Sequence, residues 1–219
     1  KLCASMKIRP YDLESGQGSL RHVLIRKGFV SGEIMVVLVT TKGEFRSERS
    51  FVNELLRRHP EITTIILNVN DRNTTMVLGN RETVIYGKGY IEDVLCGKRF
   101  RISSRSFYQV NPLMTEKLYN IAIDCAALTG KETVLDTYCG IGTIGLVAAK
   151  TAGEVIGVEL NPDAVRDAVS NCRRNEMKNA KFYCADAGDF MEALAEEGES
   201  ADVVFMDPPR AGSSRKFIE

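Results

Sequence analysis

Three times between residues 133 and 207 a short β-branched or apolar run stops at an acid. Thr133-Val-Leu ends in Asp136 and continues as Thr-Tyr-Cys-Gly140-Ile-Gly142. Val155-Ile-Gly-Val ends in Glu159, seventeen residues after Gly142, and Val203-Val-Phe-Met ends in Asp207-Pro-Pro-Arg210. In a doubly wound sheet, side chains at the carboxyl ends of adjacent strands line a single crevice, so these acids are expected to converge. Gly140 and Gly142 let the backbone turn tightly and approach a ligand where a Cβ would collide. A carboxylate at Glu159 is placed to accept ribose hydroxyls, and the whole pattern reads as an S-adenosylmethionine site.

A rival reading exists, because Gly140-Ile-Gly-Thr-Ile-Gly145 also satisfies the GxGxxG pattern of dinucleotide-binding proteins, with an acid at the expected distance. In that pattern the strand runs almost directly into the first glycine, whereas here Asp136-Thr-Tyr-Cys intervenes. An acid at the strand tip repels a pyrophosphate but suits the cationic amino-acid end of adenosylmethionine. With Asp207-Pro-Pro-Arg210 added, methyl transfer is favoured over a nicotinamide enzyme.

Composition narrows the partners. The 219 residues are 44% hydrophobic and 26% charged, which excludes disorder and allows one large core or two modest ones. Lys plus Arg and Asp plus Glu each number 29, so no global basic field exists and any RNA contact must be local. No apolar run approaches the ~18 residues of a membrane span, and the first residues show no signal-peptide core; no membrane partner and a cytoplasmic location are expected. The six cysteines, Cys3, Cys96, Cys125, Cys139, Cys172 and Cys184, include no CxxC pair, which argues against a zinc site or a disulfide framework. Cys125 and Cys172 read as residues of apolar helix faces.

Two domains are expected. Residues 1–108 carry strand signals at 20–27, 33–41, 62–67, 83–87 and 99–103 with one short helix at 51–58, an α+β unit with a mainly antiparallel sheet. Residues 109–219 alternate strands at 133–135, 155–158, 182–184 and 203–206 with helices, an α/β pattern that argues for a parallel doubly wound sheet. Asn111-Pro112 opens a helix whose apolar positions Met114, Leu118, Ile121, Cys125 and Leu128 predict the core-facing stripe, and Asn161-Pro162 opens another carrying Val165, Ala168, Val169 and Cys172.

Several segments together resemble the bacterial RNA (uracil-5-)-methyltransferase family, which makes 5-methyluridine in ribosomal or transfer RNA. They are Tyr11-Asp12 with Gly16-Gln-Gly-Ser-Leu-Arg-His-Val-Leu-Ile-Arg26, Ile102-Ser103 with Ser106-Phe-Tyr-Gln-Val-Asn-Pro112, Asp136-Thr-Tyr-Cys-Gly-Ile-Gly-Thr143, Gly157-Val-Glu159 and Asp207-Pro-Pro-Arg210. The resemblance implies a class I, Rossmann-like S-adenosylmethionine-dependent methyltransferase fold, incomplete, preceded by a central domain. It implies cofactor contacts at Gln109, Tyr138, Gly140, Gly142, Glu159 on the ribose, Asp186 near the adenine and Asp207 beside the methyl donor and target base. Thr137 stands where the family often has Leu, and the tail from Arg210 to Ser214 is slightly unusual.

Methylation of uracil carbon 5 requires a thiolate to add at carbon 6 and a base to remove the carbon-5 proton. In the family that thiolate lies in a Ser-Cys-Asn/Asp-Pro motif after Asp-Pro-Pro-Arg, so no catalytic residue is assigned within 1–219. The iron–sulfur cysteine cluster and RNA-binding module of many members are likewise expected upstream. An apolar edge at 203–206 is expected to favour self-association. Cys139 and Cys184 are read as small residues packed beneath the cofactor rather than as substitute nucleophiles, and His22 and His59 as residues of a strand face and a helix end. Lys98, Arg99, Arg101 and Arg105 form either an RNA phosphate contact or a solvated strand face. An amino-group nucleic-acid methyltransferase, opposed by Arg210 where that class has an aromatic, and a non-catalytic cofactor-binding RNA-association module stay open.

Overall fold

The computed structural model describes residues 1–42, 47–210 and 212–213. The chain divides into two compact units, Lys1–Asp93 and Val94–Glu219. The rhythm of the sequence put the boundary near 108. It falls earlier because the amides of Arg99 and Arg101 donate to the side-chain oxygens of Asn175 (2.9 Å) and Asn171 (2.6 Å), which ties this stretch to the second unit.

The first unit opens with a single helical turn, α1 (Leu2–Ser5), followed by the hairpin of β1 (Leu20–Lys27) and β2 (Ile34–Thr40). The helix α2 (Glu48–Arg58) crosses to β3 (Ile62–Val69), parallel to β2, and β4 (Arg81–Tyr86) returns antiparallel. The sheet order β1-β2-β3-β4 is therefore mixed, with two of its three pairings antiparallel. β2 and β3 are buried almost throughout, which is why their sequences are continuous β-branched runs rather than alternating ones. Val36, Leu38, Ile65 and Leu67 pack with Phe51 and Val52 of α2. The hairpin tip is held by the buried carboxylate of Asp93, which accepts the amides of Phe29 (2.8 Å), Val30 (2.9 Å) and Ser31 (3.1 Å). His22 is exposed on β1, and His59 caps the carboxyl end of α2 within 3.1 Å of Glu61.

The division falls inside β5 (Ile91–Leu95), a strand the sequence did not signal, which pairs with β6 (Lys98–Ile102). In the second unit the order is α3 (Pro112–Ala126), β7 (Thr133–Thr137), α4 (Thr143–Ala148), β8 (Glu154–Glu159), α5 (Pro162–Arg174), β9 (Ala180–Cys184), α6 (Ala187–Glu196) and β10 (Val203–Met206). The four strands are parallel in the order β10-β7-β8-β9. Val134, Ala148, Ala149, Ala152 and Val155 form the core between sheet and helices. Asn111 and Asn161 cap α3 and α5 by accepting the amides of Met114 and Asp163, each with Pro at the first helical position.

The buried face of α3 differs from the expected one. Met114, Leu118 and Ile121 are 56%, 60% and 60% exposed and Cys125 is exposed, whereas Thr115 and Tyr119 are buried. Thr115 and Tyr119 can turn inward because their hydroxyls have partners: Thr115 donates to the Asn111 carbonyl, and Tyr119 lies 2.9 Å from Thr143 Oγ1. Apolar periodicity marks the wrong stripe when polar tips are satisfied internally. The tail predicted as unusual includes Ala211 and Ser214, which lie outside the described residues. No helix among the described residues is long and apolar enough to cross a membrane.

Candidate functional site

From β7 the chain winds one way to β8 and β9, and β10 lies on the other side of β7. This reversal opens a crevice beyond the carboxyl ends of β7 and β10, the usual ligand position in such sheets. Phe107, Tyr108, Gln109, Tyr119, Asp136, Tyr138, Cys139, Gly140, Thr143 and Asp207 line it, with Ile141 and Ile144. A larger apolar groove, ≈ 510 Å³, sits in the first unit between α2 and the sheet. It is lined mainly by Leu, Ile, Val and Phe, with Lys1, Arg58, His59 and Glu61 among its lining residues, whereas the smaller crevice gathers the strand-end acids and the glycine turn and is the better candidate.

The strand-to-helix turn is built around Asp136. Its carboxylate is fully buried and accepts the amide of Gly145 at 2.8 Å. A Cβ on Gly145 would lie 2.8 Å from Asp136 Oδ2, so only glycine lets the helix come this close. Gly142, at φ 79°, begins α4 in the left-handed region, and Tyr138 is held at φ 60° although it carries a side chain. Positive φ in a tyrosine is uncommon and clusters at functional sites. The loop is clamped from the next strand by Glu159, whose Oε2 accepts the Gly140 amide (3.0 Å) and whose Oε1 accepts the Asn161 amide (2.8 Å). A carboxylate has about four lone-pair sites, so Glu159 keeps capacity for two hydroxyl donors.

Of the residues singled out from the sequence, Gln109, Tyr138, Gly140 and Asp207 share the crevice, with Gln109 Nε2 donating to Asp207 Oδ2 at 3.3 Å. Glu159 adjoins it through Gly140, and Gly142 stands at the start of α4. Asp186 lies at the end of the neighbouring strand, where its carboxylate caps α6 by accepting the amides of Gly188 (2.8 Å) and Asp189 (3.2 Å). Its place beside Glu159 is fixed by the Ala185 amide donating to the Glu159 carbonyl. Tyr119 and Thr143 were missed, because a tyrosine and a threonine 24 residues apart carry no local signal of their pairing.

The crevice is acidic, and none of its described lining residues is Lys, Arg or His. Burial, and then the charges of Asp207 and Glu159, raise Asp136 from 3.8 to about 7 against the Gly145 hydrogen bond. Burial and the acids Asp136 and Glu159 push the Cys139 thiol well above its ordinary range, the opposite of what a nucleophile needs. Cys184 is exposed, with Sγ toward the Leu160 carbonyl, and does not pack under the crevice as expected. In the basic cluster, Arg101 pairs with Asp167 (3.2 Å) and Arg105 lies 3.8 Å from Asp163. Those two cations therefore join β6 and its following loop to α5. Among the described residues no group of His, Cys, Asp and Glu is arranged to hold a metal ion.

The crevice thus offers carboxylates at Asp136 and Asp207, with Glu159 adjoining, and open space on Gly140, where no atom lies within 4 Å of an added Cβ.

Comparison with known proteins agrees. Residues 128–213 match the methyltransferase domain family. An uncharacterized RNA methyltransferase of Listeria monocytogenes serotype 4b (strain F2365) is 44% identical over 219 residues, 100% of this chain and 48% of that protein. One from Caldanaerobacter subterraneus subsp. tengcongensis is 44% identical over 211 residues, 96% of this chain and 47% of that protein. The chain thus spans about half the length of these relatives. The crystal structure of the Pyrococcus abyssi tRNA (uracil-54, C5)-methyltransferase in complex with S-adenosyl-L-homocysteine covers 99% of this chain and 50% of its own, with a TM-score of 0.78 and 26% identity. The second unit therefore has the α/β class I S-adenosylmethionine-dependent methyltransferase fold.

The Asp136 carboxyl predicts an unusual pH dependence. Its folded value, about 7, lies above the unfolded 3.8, so between these the native state binds the extra proton. Stability of the ligand-free protein should fall as pH rises from about 4 to about 7, by at most about 1.4 kcal/mol per unit from this group. Urea denaturation across that range should show the slope in the wild type and its loss in Asp136→Asn. Identical profiles would contradict the assignment.

Proposed function

We propose that this chain forms the cofactor-binding part of an S-adenosylmethionine-dependent RNA methyltransferase that makes 5-methyluridine. The observation that carries this reading is the acid-lined, glycine-turned crevice at the β7/β10 reversal, with the Gln109 amide on Asp207. The likeness to a tRNA (uracil-54, C5)-methyltransferase bound to S-adenosyl-L-homocysteine supports it. In this reading Glu159 accepts the ribose hydroxyls and Asp186 lies toward the adenine. Gln109 and Asp207 face the reacting end. Phe107, 68% exposed at the crevice, suits stacking on an unstacked base, the ordinary mode of single-stranded RNA recognition.

The bound cofactor supplies an electrophilic methyl group; the protein orients it and excludes water. Carbon 5 of uracil is nucleophilic enough only after a thiolate adds at carbon 6. Cys139 is buried among acids that hold its proton on, and it is therefore unsuited to supply that thiolate. An iron–sulfur cluster enters only through the family resemblance.

The full-length protein, incubated with labelled S-adenosylmethionine and unmodified ribosomal and transfer RNA, should yield label in 5-methyluridine after digestion to nucleosides. Label in an exocyclic amine would favour the amino-group class instead. Cofactor binding without transfer would favour a non-catalytic module.

We further infer self-association through β10, which forms one edge of its sheet with Val204 and Met206 43% and 50% exposed. Light scattering of the 219-residue chain should show mass rising with concentration. A constant monomer mass would refute it.

A further inference from the structure

Along α5 and its cap the polar residues Asp167, Asn171 and Asn175 recur at every fourth position, and Asp167 and Asn171 are buried. Four helical residues advance about 6 Å and two strand residues about 6.6 Å, so such a row can face alternate residues of a strand. Here it faces β6. Asn175 accepts the Arg99 amide at 2.9 Å and donates to the Arg99 carbonyl at 2.7 Å; Asn171 does the same for Arg101, at 2.6 Å and 3.3 Å. The third member of the row reaches past the end of the strand. Asp167 Oδ2 accepts the Ser106 hydroxyl at 2.5 Å, and its Oδ1 lies 3.2 Å from Arg101 Nε. Ser106 in turn accepts the Ser103 amide at 3.2 Å, and because its one proton goes to Asp167, the Ser103 hydroxyl 2.5 Å away must donate to it. Residues 103–106 are thereby tied into one bend, and the next three, Phe107, Tyr108 and Gln109, line the crevice. No residue of α5 lines it, yet the same helix also holds the opposite wall: Asn171 Nδ2 donates at 3.2 Å to the Ile141 carbonyl, between Gly140 and Gly142.

We propose that Asp167, acting through Ser106, is a positioning residue of the site: it sets where Gln109 stands against Asp207. This rests on the cofactor reading above, in which Gln109 faces the reacting end. Gln109 Nε2 meets Asp207 Oδ2 at 3.3 Å, the long end of a hydrogen bond, so a small displacement of the segment breaks the contact. Phe107 and Val110 are 68% and 97% exposed and hold nothing in place; the stretch is fixed by Tyr108, whose ring meets that of Phe100, and by Ser106, 4% exposed. An apolar residue in place of Asp167 would pack α5 against this stretch at lower cost than a buried carboxylate. Packing has no direction, however, whereas the Ser106 hydrogen bond fixes both a distance and an angle.

The test is a double-mutant cycle on the full-length protein, read by calorimetric titration with S-adenosylhomocysteine. Gln109→Ala should weaken binding roughly tenfold, the loss of one hydrogen bond to a charged group. Ser106→Ala should weaken it about fivefold, and Asp167→Asn, which keeps the volume and removes the carboxylate, about threefold. In the Gln109→Ala protein each should cost less than about twofold more, because no side chain is left to position. A role confined to holding the fold would instead give losses that multiply. Multiplying losses, or Ser106→Ala and Asp167→Asn proteins that bind as the wild type does, overturn the proposal and leave the cofactor reading standing. If one of these two variants does not fold, the cycle with the other decides alone. A wild-type protein that does not bind S-adenosylhomocysteine, or a Gln109→Ala protein that binds it unchanged, overturns the cofactor reading of this segment and the proposal with it.

Discussion

The hydrogen bond from the Gly145 amide to the buried carboxylate of Asp136 holds the site together. It pins the first turn of α4 against the end of β7, and through that turn it sets where Tyr138, Gly140 and Gly142 can stand. Burying a carboxylate is costly even with the Gly145 amide donating to it, and the cost shows in its raised titration. A cation seated beside Asp136 would favour its ionised form and draw that titration back down. Glu159 closes the same loop from the neighbouring strand by holding the Gly140 amide.

Much of this was legible in the sequence because it is written in short-range chemistry. Runs that end in acids gave the parallel strands, and their order of appearance placed Asp136, Glu159 and Asp207 at one end of the sheet. Asn111-Pro112 and Asn161-Pro162 marked the starts of α3 and α5 through a side-chain cap and a proline that needs no amide partner.

What stayed hidden depends on contacts distant along the chain. The outward stripe of α3 looked like a core face, and its true buried face carries Thr115 and Tyr119, whose burial is permitted by the Asn111 carbonyl and the Thr143 hydroxyl. Cys184 ended a strand and so looked close to the crevice, yet it is exposed. The boundary of the units was set too late because the tie between β6 and α5 runs through Asn171 and Asn175, whose side chains say nothing about their partners until the chain is folded.

The account places one ligand in one crevice, and a crystal structure of the protein grown with S-adenosylhomocysteine tests that most directly. The ribose hydroxyls should lie within hydrogen-bond distance of Glu159, with the amino-acid end beside Asp136 and Asp207. A ligand bound elsewhere, with Glu159 still holding only the Gly140 and Asn161 amides, would contradict it.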